Sequence, residues 1–339
     1  MAGQAQEQSG PIAVYGATGY TGRLVAAELS RRDADFVLAG RNAAKLEMVA
    51  EDIGGAPTRA ASLDEPAELR DLLADCAAVI ACAGPFRLHG EPVVRAAVET
   101  ATHYLDTTGE QSFIADVFEH HGPGAERAGA ALVPAMGFDY VPGDMLAALT
   151  AAGMGPLDEV VLAYAVRLGV SRGTALSAVG MVGGGDLEWR DGRLEPAPQS
   201  VSRGTWEFPD PVGRQRMVRY PAGEHITVPR HVQTRAVRTV LTAATVAPHR
   251  WVSAAVPLAA TPLQLALRTP ARRVLEIAAR RLPEGPSAEA RRKARWTIAC
   301  EARRGGRRRR GLISGPDVYG LTARTTVEGA LRCVDPDYE

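Results

Sequence analysis

Short apolar runs and amphipathic stretches alternate through the first 140 residues of the chain. The runs have few polar positions, as expected of strands that are buried on both faces of a parallel sheet. They lie at 12–15, 36–39, 58–61, 77–82, 103–106 and 130–133. The stretches between them repeat apolar residues every three or four positions, which is the period of a helix packed on one side. This order predicts a doubly wound parallel α/β sheet with right-handed crossovers.

The pattern changes after Pro134. Helices are predicted at 141–150 and 174–182, and the pair Asp191-Gly192 is typical of a hairpin turn. Strands are predicted at 157–168, 205–208, 215–220, 232–241, 296–302 and 321–327. A succession of strands with few helices predicts an α+β domain built on an antiparallel sheet.

Three glycines with the spacing G-x-x-G-x-x-G separate the first predicted strand from its helix. Gly16 permits a tight turn, Gly19 lets the backbone approach a pyrophosphate, and Gly22 lets the helix pack closely on the sheet. The N–H groups of the helix start then face the anion. The predicted dinucleotide contacts are Gly16, Ala17, Thr18, Gly19, Tyr20, Thr21 and Gly22. The alternative is a glycine-rich turn with no ligand.

The end of the second strand carries a cation where NAD-binding sites usually carry a carboxylate. Gly40 opens space, Arg41 supplies a planar guanidinium suited to a 2′-phosphate, and Lys45 lies one helical turn further on. This pattern favours NADP(H) over NAD(H) as the cofactor. The alternative is that Arg41 is a solvated surface arginine.

These features predict two domains. A Rossmann nucleotide-binding domain is expected over 8–140, and an α+β domain for substrate binding or dimerisation over 141–339. The chain stops soon after the last predicted strand. Two alternatives are therefore open: the C-terminal segment returns to the first domain, or the chain is truncated before a closing helix.

Composition excludes several functional classes. Lys plus Arg and Asp plus Glu both number 39, so no bulk attraction to nucleic acid or to an anionic membrane is expected. Four scattered cysteines without a C-x-x-C pair argue against a zinc site and against a disulfide scaffold. The polar N-terminus lacks a signal sequence, which predicts a cytoplasmic location.

Three further strand ends carry chemical groups. At the first, Ala83, Gly84, Pro85 and Phe86 combine small or donor-free residues that allow backbone to lie along the nicotinamide ribose. The other two are the segments 103–110 and 137–144. Ligands of open α/β sheets bind at these carboxyl ends.

The chain resembles the saccharopine dehydrogenase-like oxidoreductases. The resemblance rests on residues 16–22, 39–41, 83–86, 90–94, 103–106, 109–110, 137–139 and 142–144. Segments 171–174, 220–225 and 229–231 resemble the actinobacterial trans-acting enoyl reductase branch of that family. The resemblance covers the first domain densely and the second thinly. It implies a nicotinamide-dependent reductase whose second domain forms the substrate cleft.

The catalytic candidates are Tyr140, Tyr104 and Asp106, chosen by their positions at these strand ends. Tyr140 is a plausible proton donor to a reduced C=C bond, whereas Asp106 or Asp139 could bind an amine. The alternatives are an ordinary strand position for Tyr104 and helix capping for Asp139 and Asp144.

Further along the chain, Glu224, His225 and His231 are expected on a strand that lines a cleft. Two histidines without a defined third ligand do not predict a metal site.

Three functional hypotheses follow. The first is an NADPH-dependent enoyl reductase for an acyl or polyketide-type intermediate, with a carrier protein or polyketide synthase as partner. The second is an imine reductase of the saccharopine-forming type, with Arg87 and Arg172 as candidate carboxylate-binding residues. The third is an NADP-binding sensor or assembly partner without turnover. Homodimerisation through the antiparallel sheet is a further expectation.

Two segments have competing interpretations. The arginine run at 307–310 is interpreted as a solvated hairpin end, with a phosphate-bearing partner as the alternative. Nucleic-acid binding is not expected because interleaved aromatic residues are missing. The apolar stretch at 251–282 is interpreted as core and lid, with peripheral membrane contact as the alternative.

Overall fold

The computed structural model describes residues 10–167, 171–181, 186–197, 204–246 and 277–338 of the 339-residue chain. Most of the apolar stretch at 251–282 lies outside the described residues, so both of its interpretations stay predictions. The chain forms two compact units. The first comprises Met1–Phe138 with Tyr319–Glu339, and the second comprises Asp139–Val318.

The first unit is built on a six-stranded parallel sheet in the order β3-β2-β1-β4-β5-β6. Its strands are β1 (Ile12–Tyr15), β2 (Phe36–Gly40), β3 (Thr58–Ala60), β4 (Ala78–Ala81), β5 (His103–Asp106) and β6 (Leu132–Val133). The order reverses beside β1, which is the arrangement of a doubly wound nucleotide-binding sheet. The predicted fold class of the first half is confirmed.

Helices connect these strands. They are α1 (Tyr20–Arg31), α2 (Ala43–Asp52), α3 (Pro66–Leu73), α4 (Phe86–His89), α5 (Glu91–Glu99), α6 (Gln111–Asp116), a π-helical turn (Val117–His121) and α7 (Gly122–Ala128). The Asn42 side chain caps α2 by accepting the N–H of Lys45 at 3.0 Å, as its sequence position indicates. This cap fixes the start of the helix that follows the end of β2.

Alternate residues of the strands enter two apolar cores, one on each face of the sheet. Val14 and Leu38 belong to one core, and Tyr15 and Ala39 belong to the other. Because both faces are covered, the central strands read as continuous apolar runs.

The second unit contains a larger sheet in the order β10-β11-β12-β7-β13-β14 and a separate hairpin, β8-β9. Its strands are β7 (Glu159–Arg167), β8 (Leu187–Arg190), β9 (Arg193–Pro196), β10 (Gly204–Glu207), β11 (Arg214–Arg219), β12 (Val237–Thr242), β13 (Arg295–Arg304) and β14 (Arg307–Pro316). β12 pairs with β7 in parallel, and the other neighbours in the larger sheet are antiparallel. The sheet is therefore mixed rather than purely antiparallel.

Short helices accompany this sheet. Those described are α8 (Val141–Ala151), α9 (Arg172–Met181), α10 (Glu224–Thr227), a 3₁₀ turn (Val228–Arg230), α11 (Ala243–Val246) and α12 (Ala288–Lys293). The prediction of a strand through Glu224 and His225 is wrong, since both lie in α10. The strand predicted from position 232 begins only at Val237, because residues 232–236 form a bend and a single bridge from Thr234 to Leu157.

The strand predicted at 321–327 is also wrong, because Val318–Val334 forms a helix, α13. Its buried residues Thr322, Ala323, Thr326, Val327 and Ala330 recur every three or four positions, so the helical period outweighs the β-branched content. Ala323, Val327 and Ala330 enter the same core as Val14 and Leu38. The end of the chain therefore packs on the first sheet.

Candidate functional site

The glycine turn after β1 is packed too closely for side chains. The Gly16 N–H donates to the carbonyl of Ala39 at 2.9 Å, and the Gly19 N–H donates to the carbonyl of Gly16 at 3.0 Å. A Cβ placed on Gly22 would lie 2.3 Å from that same carbonyl oxygen, and Gly16 adopts φ +85°. Helix α1 begins directly after Gly19, so no capping side chain covers its start. The bare backbone and the helix N-terminus fit a pyrophosphate.

The end of β2 presents two cations. Arg41 and Lys45 are both exposed, and the described residues give neither side chain an ion pair or a hydrogen bond. Gly40 lies between them and the glycine turn, and a Cβ there would be in ordinary contact with the Leu46 side chain at 3.8 Å and the Gly16 nitrogen at 3.9 Å. An uncompensated guanidinium and ammonium beside this turn fit the 2′-phosphate of NADP(H).

A buried carboxylate that the sequence analysis did not assign holds the loop after β4. Glu110 is 3% exposed. Its two oxygens accept the N–H groups of Phe86 and Arg87 at 2.9 and 3.1 Å. These are the first N–H groups after the cis peptide bond between Gly84 and Pro85. Glu110 therefore fixes the path of the segment predicted to lie along the nicotinamide ribose. In the sequence, Glu110 is only an acidic residue after the fifth strand, and nothing local indicates its contact with the segment after Pro85.

Tyr104 and Asp106 form one buried pair at the end of β5. The Tyr104 hydroxyl donates to Asp106 Oδ2 at 2.8 Å. Asp106 Oδ1 accepts the N–H groups of Thr108 and Ala135 at 2.9 and 2.8 Å. Burial raises the pKa of Asp106 to about 6, although these hydrogen bonds oppose the shift. The pair thus ties β5 to the loop after β6, and its catalytic assignment stays a prediction.

Tyr140 lies in the second unit, at the N-cap position directly before α8. It is 2% exposed. Its hydroxyl accepts the N–H of Gly223 and shares a hydrogen bond with the Tyr220 hydroxyl. Burial raises the pKa of Tyr140 well above its usual range, so the phenol keeps its proton at neutral pH. A protonated tyrosine with a hydrogen-bonded oxygen can act as a proton donor.

A buried carboxyl group lies close to Tyr140. Glu224 is fully buried, and its Oε1 accepts the hydroxyl of Tyr164. Its Oε2 has no hydrogen-bond partner among the residues that the structure describes. Burial raises the pKa of Glu224 well above its usual range. The position next to Glu224 and Tyr164 has to be a glycine, because a Cβ on Gly143 would lie 2.6 Å from Glu224 Oε1.

His225 positions the loop that contains Tyr220. The N–H of Trp189 donates to His225 Nδ1 at 3.3 Å, which leaves the ring proton on Nε2. Nε2 then donates to the Thr239 hydroxyl at 2.9 Å, and that hydroxyl donates to the carbonyl of Tyr220. Burial lowers the pKa of His225 to about 3, in keeping with a neutral ring. The histidine is a structural connector.

Asp144 joins α8 to the α10 segment. Its Oδ1 accepts the hydroxyl of Thr227 at 2.6 Å, and its Oδ2 lies 2.7 Å from His231 Nε2. The cap residue of α8 is Tyr140, without a side-chain cap. The helix-capping alternative for Asp139 and Asp144 is therefore not what the structure shows.

The comparison with known proteins bears on the first unit. Residues 12–133 match the family described as the saccharopine dehydrogenase NADP binding domain. The first unit is therefore similar to that family over its parallel sheet. The match ends at the last strand of the parallel sheet, so it covers the glycine turn and the pair of cations in one domain.

Curated relatives match about two fifths of this chain. Over 140 residues the chain is 34% identical to the trans-acting enoyl reductase of Mycobacterium ulcerans, covering 40% of this chain and 34% of that protein. Over 159 residues it is 31% identical to the saccharopine dehydrogenase-like oxidoreductase of Bos taurus, covering 41% of this chain and 37% of that one. The match thus spans about a third of the length of each relative.

The fold is shared beyond the NADP-binding domain. The saccharopine dehydrogenase (L-Glu forming) of Saccharomyces cerevisiae aligns over 95% of this chain and 89% of that chain, with a TM-score of 0.54 and 13% identity. At this identity the likeness concerns the fold alone.

Other site types find no support in the part of the chain that the structure describes. No cluster of three or more His, Cys, Asp or Glu side chains there is arranged to hold a metal ion. Cys76, Cys82, Cys300 and Cys333 are free thiols. No described helix has the length and apolar character needed to cross a membrane.

Proposed function

We propose that the chain is an NADPH-dependent reductase that transfers hydride to an activated C=C bond of an acyl or polyketide-type substrate. The observation that carries the proposal is the glycine turn, packed against the Ala39 carbonyl, next to Arg41 and Lys45, which have no ion pair among the described residues. Two exposed cations of this kind after the second strand favour an anionic ligand. A 2′-phosphate is such an anion.

The residues have distinct roles in this proposal. Bound NADPH would supply the hydride. Arg41 and Lys45 bind the 2′-phosphate, and Glu110 fixes the Ala83–Phe86 segment beside the nicotinamide ribose. Tyr140 donates a proton to the carbon next to the one that receives hydride. The Gly223 N–H then stabilises the tyrosinate that remains.

Two observations support reduction of C=C rather than C=N. The relatives that match at 34–36% identity include trans-acting enoyl reductases. In addition, Arg172 forms an ion pair with Glu284 at 3.4 Å, which weakens its candidacy as a binding group for an amino-acid carboxylate. A carrier-protein or polyketide-synthase partner, a homodimer and a cytoplasmic location belong to the same proposal.

The test follows NADPH oxidation with a panel of enoyl thioesters and cyclic imines. We expect turnover of enoyl thioesters, and we expect Tyr140→Phe to lower kcat by about a hundredfold or more while leaving the Kd for NADPH unchanged. Tyr15→Phe is the matched control, since among the described residues the Tyr15 hydroxyl donates to the carbonyl of Ala61 alone. Turnover of imines alone would contradict the proposal and would show that the protein is an imine reductase. NADPH binding without turnover of enoyl thioesters or imines would favour an NADP-binding sensor or assembly partner.

A further inference from the structure

The arginine run of β14 is divided between the two faces of its sheet, because successive strand residues point to opposite sides. Arg309 donates to the carbonyls of Thr150 and Ala152 at 3.3 and 2.5 Å, so it fastens the strand to the end of α8. Arg308 and Arg310 line a groove on the other face. The run is therefore more than a solvated hairpin end.

This groove, which we call the Trp206 groove, has a volume of about 350 Å³. It is lined by Val161, Gly204, Thr205, Trp206, Glu207, Arg214, Met217, Arg238, Val240, Glu301, Arg303, Arg308 and Arg310. The guanidinium of Arg310 lies 5.6 Å from the centre of the Trp206 ring. Glu301, which is 1% exposed, holds Arg303 and Arg310 at 2.6 Å each. A buried carboxylate thus orients two guanidinium groups, of which that of Arg310 lies over the indole.

The groove carries an excess of positive charge. Five arginines line it against two glutamates, and Glu159, outside the lining, pairs with Arg238 and Arg303. In the described part of the chain, Arg214 and Arg308 form no ion pair, and Arg214 reaches only the hydroxyl of Thr205 at 3.3 Å. Arginines without a carboxylate partner at the mouth of a concave site favour a phosphate ligand.

An apolar hollow of about 310 Å³ continues the groove and shares Trp206, Glu207 and Arg310 with it. The rest of its lining is Phe208, Pro209, Ala299, Gly311 and Leu312. Leu312 is 48% exposed, although it is a large apolar residue in the middle of a strand. One continuous depression therefore has a basic end and an apolar end, joined by an indole.

We propose that the Trp206 groove binds a small phosphorylated acyl compound, with its phosphates on Arg308 and Arg214 and its acyl chain over Trp206 and Leu312. An inorganic anion would leave the apolar end of the depression without a contact. A neutral lipid would leave the arginines of the basic end without an opposite charge. The proposal concerns the second unit and is independent of dinucleotide binding.

The test measures binding of decanoyl-CoA to the full chain by calorimetry, in the presence and absence of saturating NADPH. We expect binding in both conditions, weaker binding of CoA and of decanoate separately, and loss of affinity at high salt. Arg308→Ala should reduce the affinity about ten- to a hundredfold, and Arg308→Lys should restore part of it. Arg307→Ala is the matched control, because it removes the same charge from the neighbouring position, outside the groove lining.

Three results would overturn the proposal. Equal affinity of the wild-type protein and the Arg308→Ala variant would show that decanoyl-CoA binds elsewhere. Competition by NADPH would place the compound in the dinucleotide site, whether or not the protein is a reductase. Binding only of a carrier protein loaded with the same acyl group, and not of decanoyl-CoA, would identify the groove as a protein-docking surface instead.

Discussion

At the scale of single residues, we predict that Arg41 decides which dinucleotide the first unit prefers. Its guanidinium is exposed and unpaired in the described structure, and it follows Gly40, where an NAD site would present a carboxylate. Removing it eliminates charge-assisted hydrogen bonds to the 2′-phosphate without disturbing a protein contact. Arg41→Ala should therefore weaken NADPH binding by about ten- to a hundredfold and leave NADH binding unchanged, as measured by calorimetry.

The control for this prediction is Arg31→Ala. Arg31 is another exposed arginine of the first unit, and it pairs only with Glu28. The Arg31→Ala variant should bind NADPH and NADH with the same affinities as the wild type. Equal losses for NADPH and NADH in Arg41→Ala would show that Arg41 supports the fold rather than the phosphate.

Gly22 carries a second residue-scale prediction. A Cβ at this position would lie 2.3 Å from the Gly16 oxygen and 2.8 Å from Ala17 Cα, both of which are backbone atoms. Gly22→Ala should thus push α1 away from the turn, cost about 1–3 kcal/mol in urea unfolding and weaken NADPH binding. Gly122→Ala, at the start of α7, meets nothing within 4 Å, so it should not destabilise the chain and should leave NADPH binding unchanged. A stable Gly22→Ala variant with normal NADPH affinity would contradict the close-packing argument.

At the scale of elements, local pattern predicts the first unit well and the second unit less well. The central strands β1, β2, β4 and β5 of the parallel sheet are buried on both faces, so short apolar runs between helical repeats identify them. The pattern at 321–327 predicts a strand because Thr325 and Thr326 favour strands. The segment is part of helix α13 because Ala323, Val327 and Ala330 pack together in the core. The parallel pairing of β12 with β7 connects strands far apart in sequence, and no local signal encodes such a partner.

The site shows the same division. The glycine turn and Arg41 are local features, and sequence was enough to single them out. The contacts of Glu110 with the Phe86 and Arg87 amides, and of Glu224 with Tyr164, join residues 23 to 60 positions apart. Only the folded sheet brings these groups together.

His225 carries the element-scale prediction. Its folded-state pKa is about 3, below its ordinary 6.5, so the unfolded chain binds more protons and the contribution to stability is lost as pH falls through that window. The stability advantage of the wild type over His225→Gln should shrink by about 1.4 kcal/mol per pH unit below 6.5. Urea unfolding from pH 7 to pH 4 measures this difference, and the buried acids Asp106 and Asp139 cancel because both proteins contain them. A pH-independent difference would mean that the His225 ring is solvated.

At the scale of the whole molecule, the first unit is discontinuous in sequence. Helix α13 follows the whole of the second unit, yet its apolar face completes the core beneath β1 and β2. Hydrogen bonds also join it to the connection after β6: the Thr325 and Thr326 hydroxyls donate to the Met136 carbonyl at 2.7 and 3.1 Å. The NADP-binding domain is therefore incomplete without the last helix, although residues 12–133 alone match the family.

This dependence leads to a prediction for Val327, which is fully buried. Val327→Ala should destabilise the first unit by about 1–3 kcal/mol, and saturating NADPH should offset about 2.7 kcal/mol at 100 times its Kd. All four tryptophans lie in the second unit, so hydrogen–deuterium exchange resolved by peptide is the suitable measurement. Exchange should rise in β1, β4 and α13 without NADPH and return toward wild-type values with it. Leu149→Ala, at a 75% exposed position of α8, is the control and should leave every peptide unchanged. If exchange in the first-unit strands did not respond to Val327→Ala, α13 would be dispensable for the dinucleotide site.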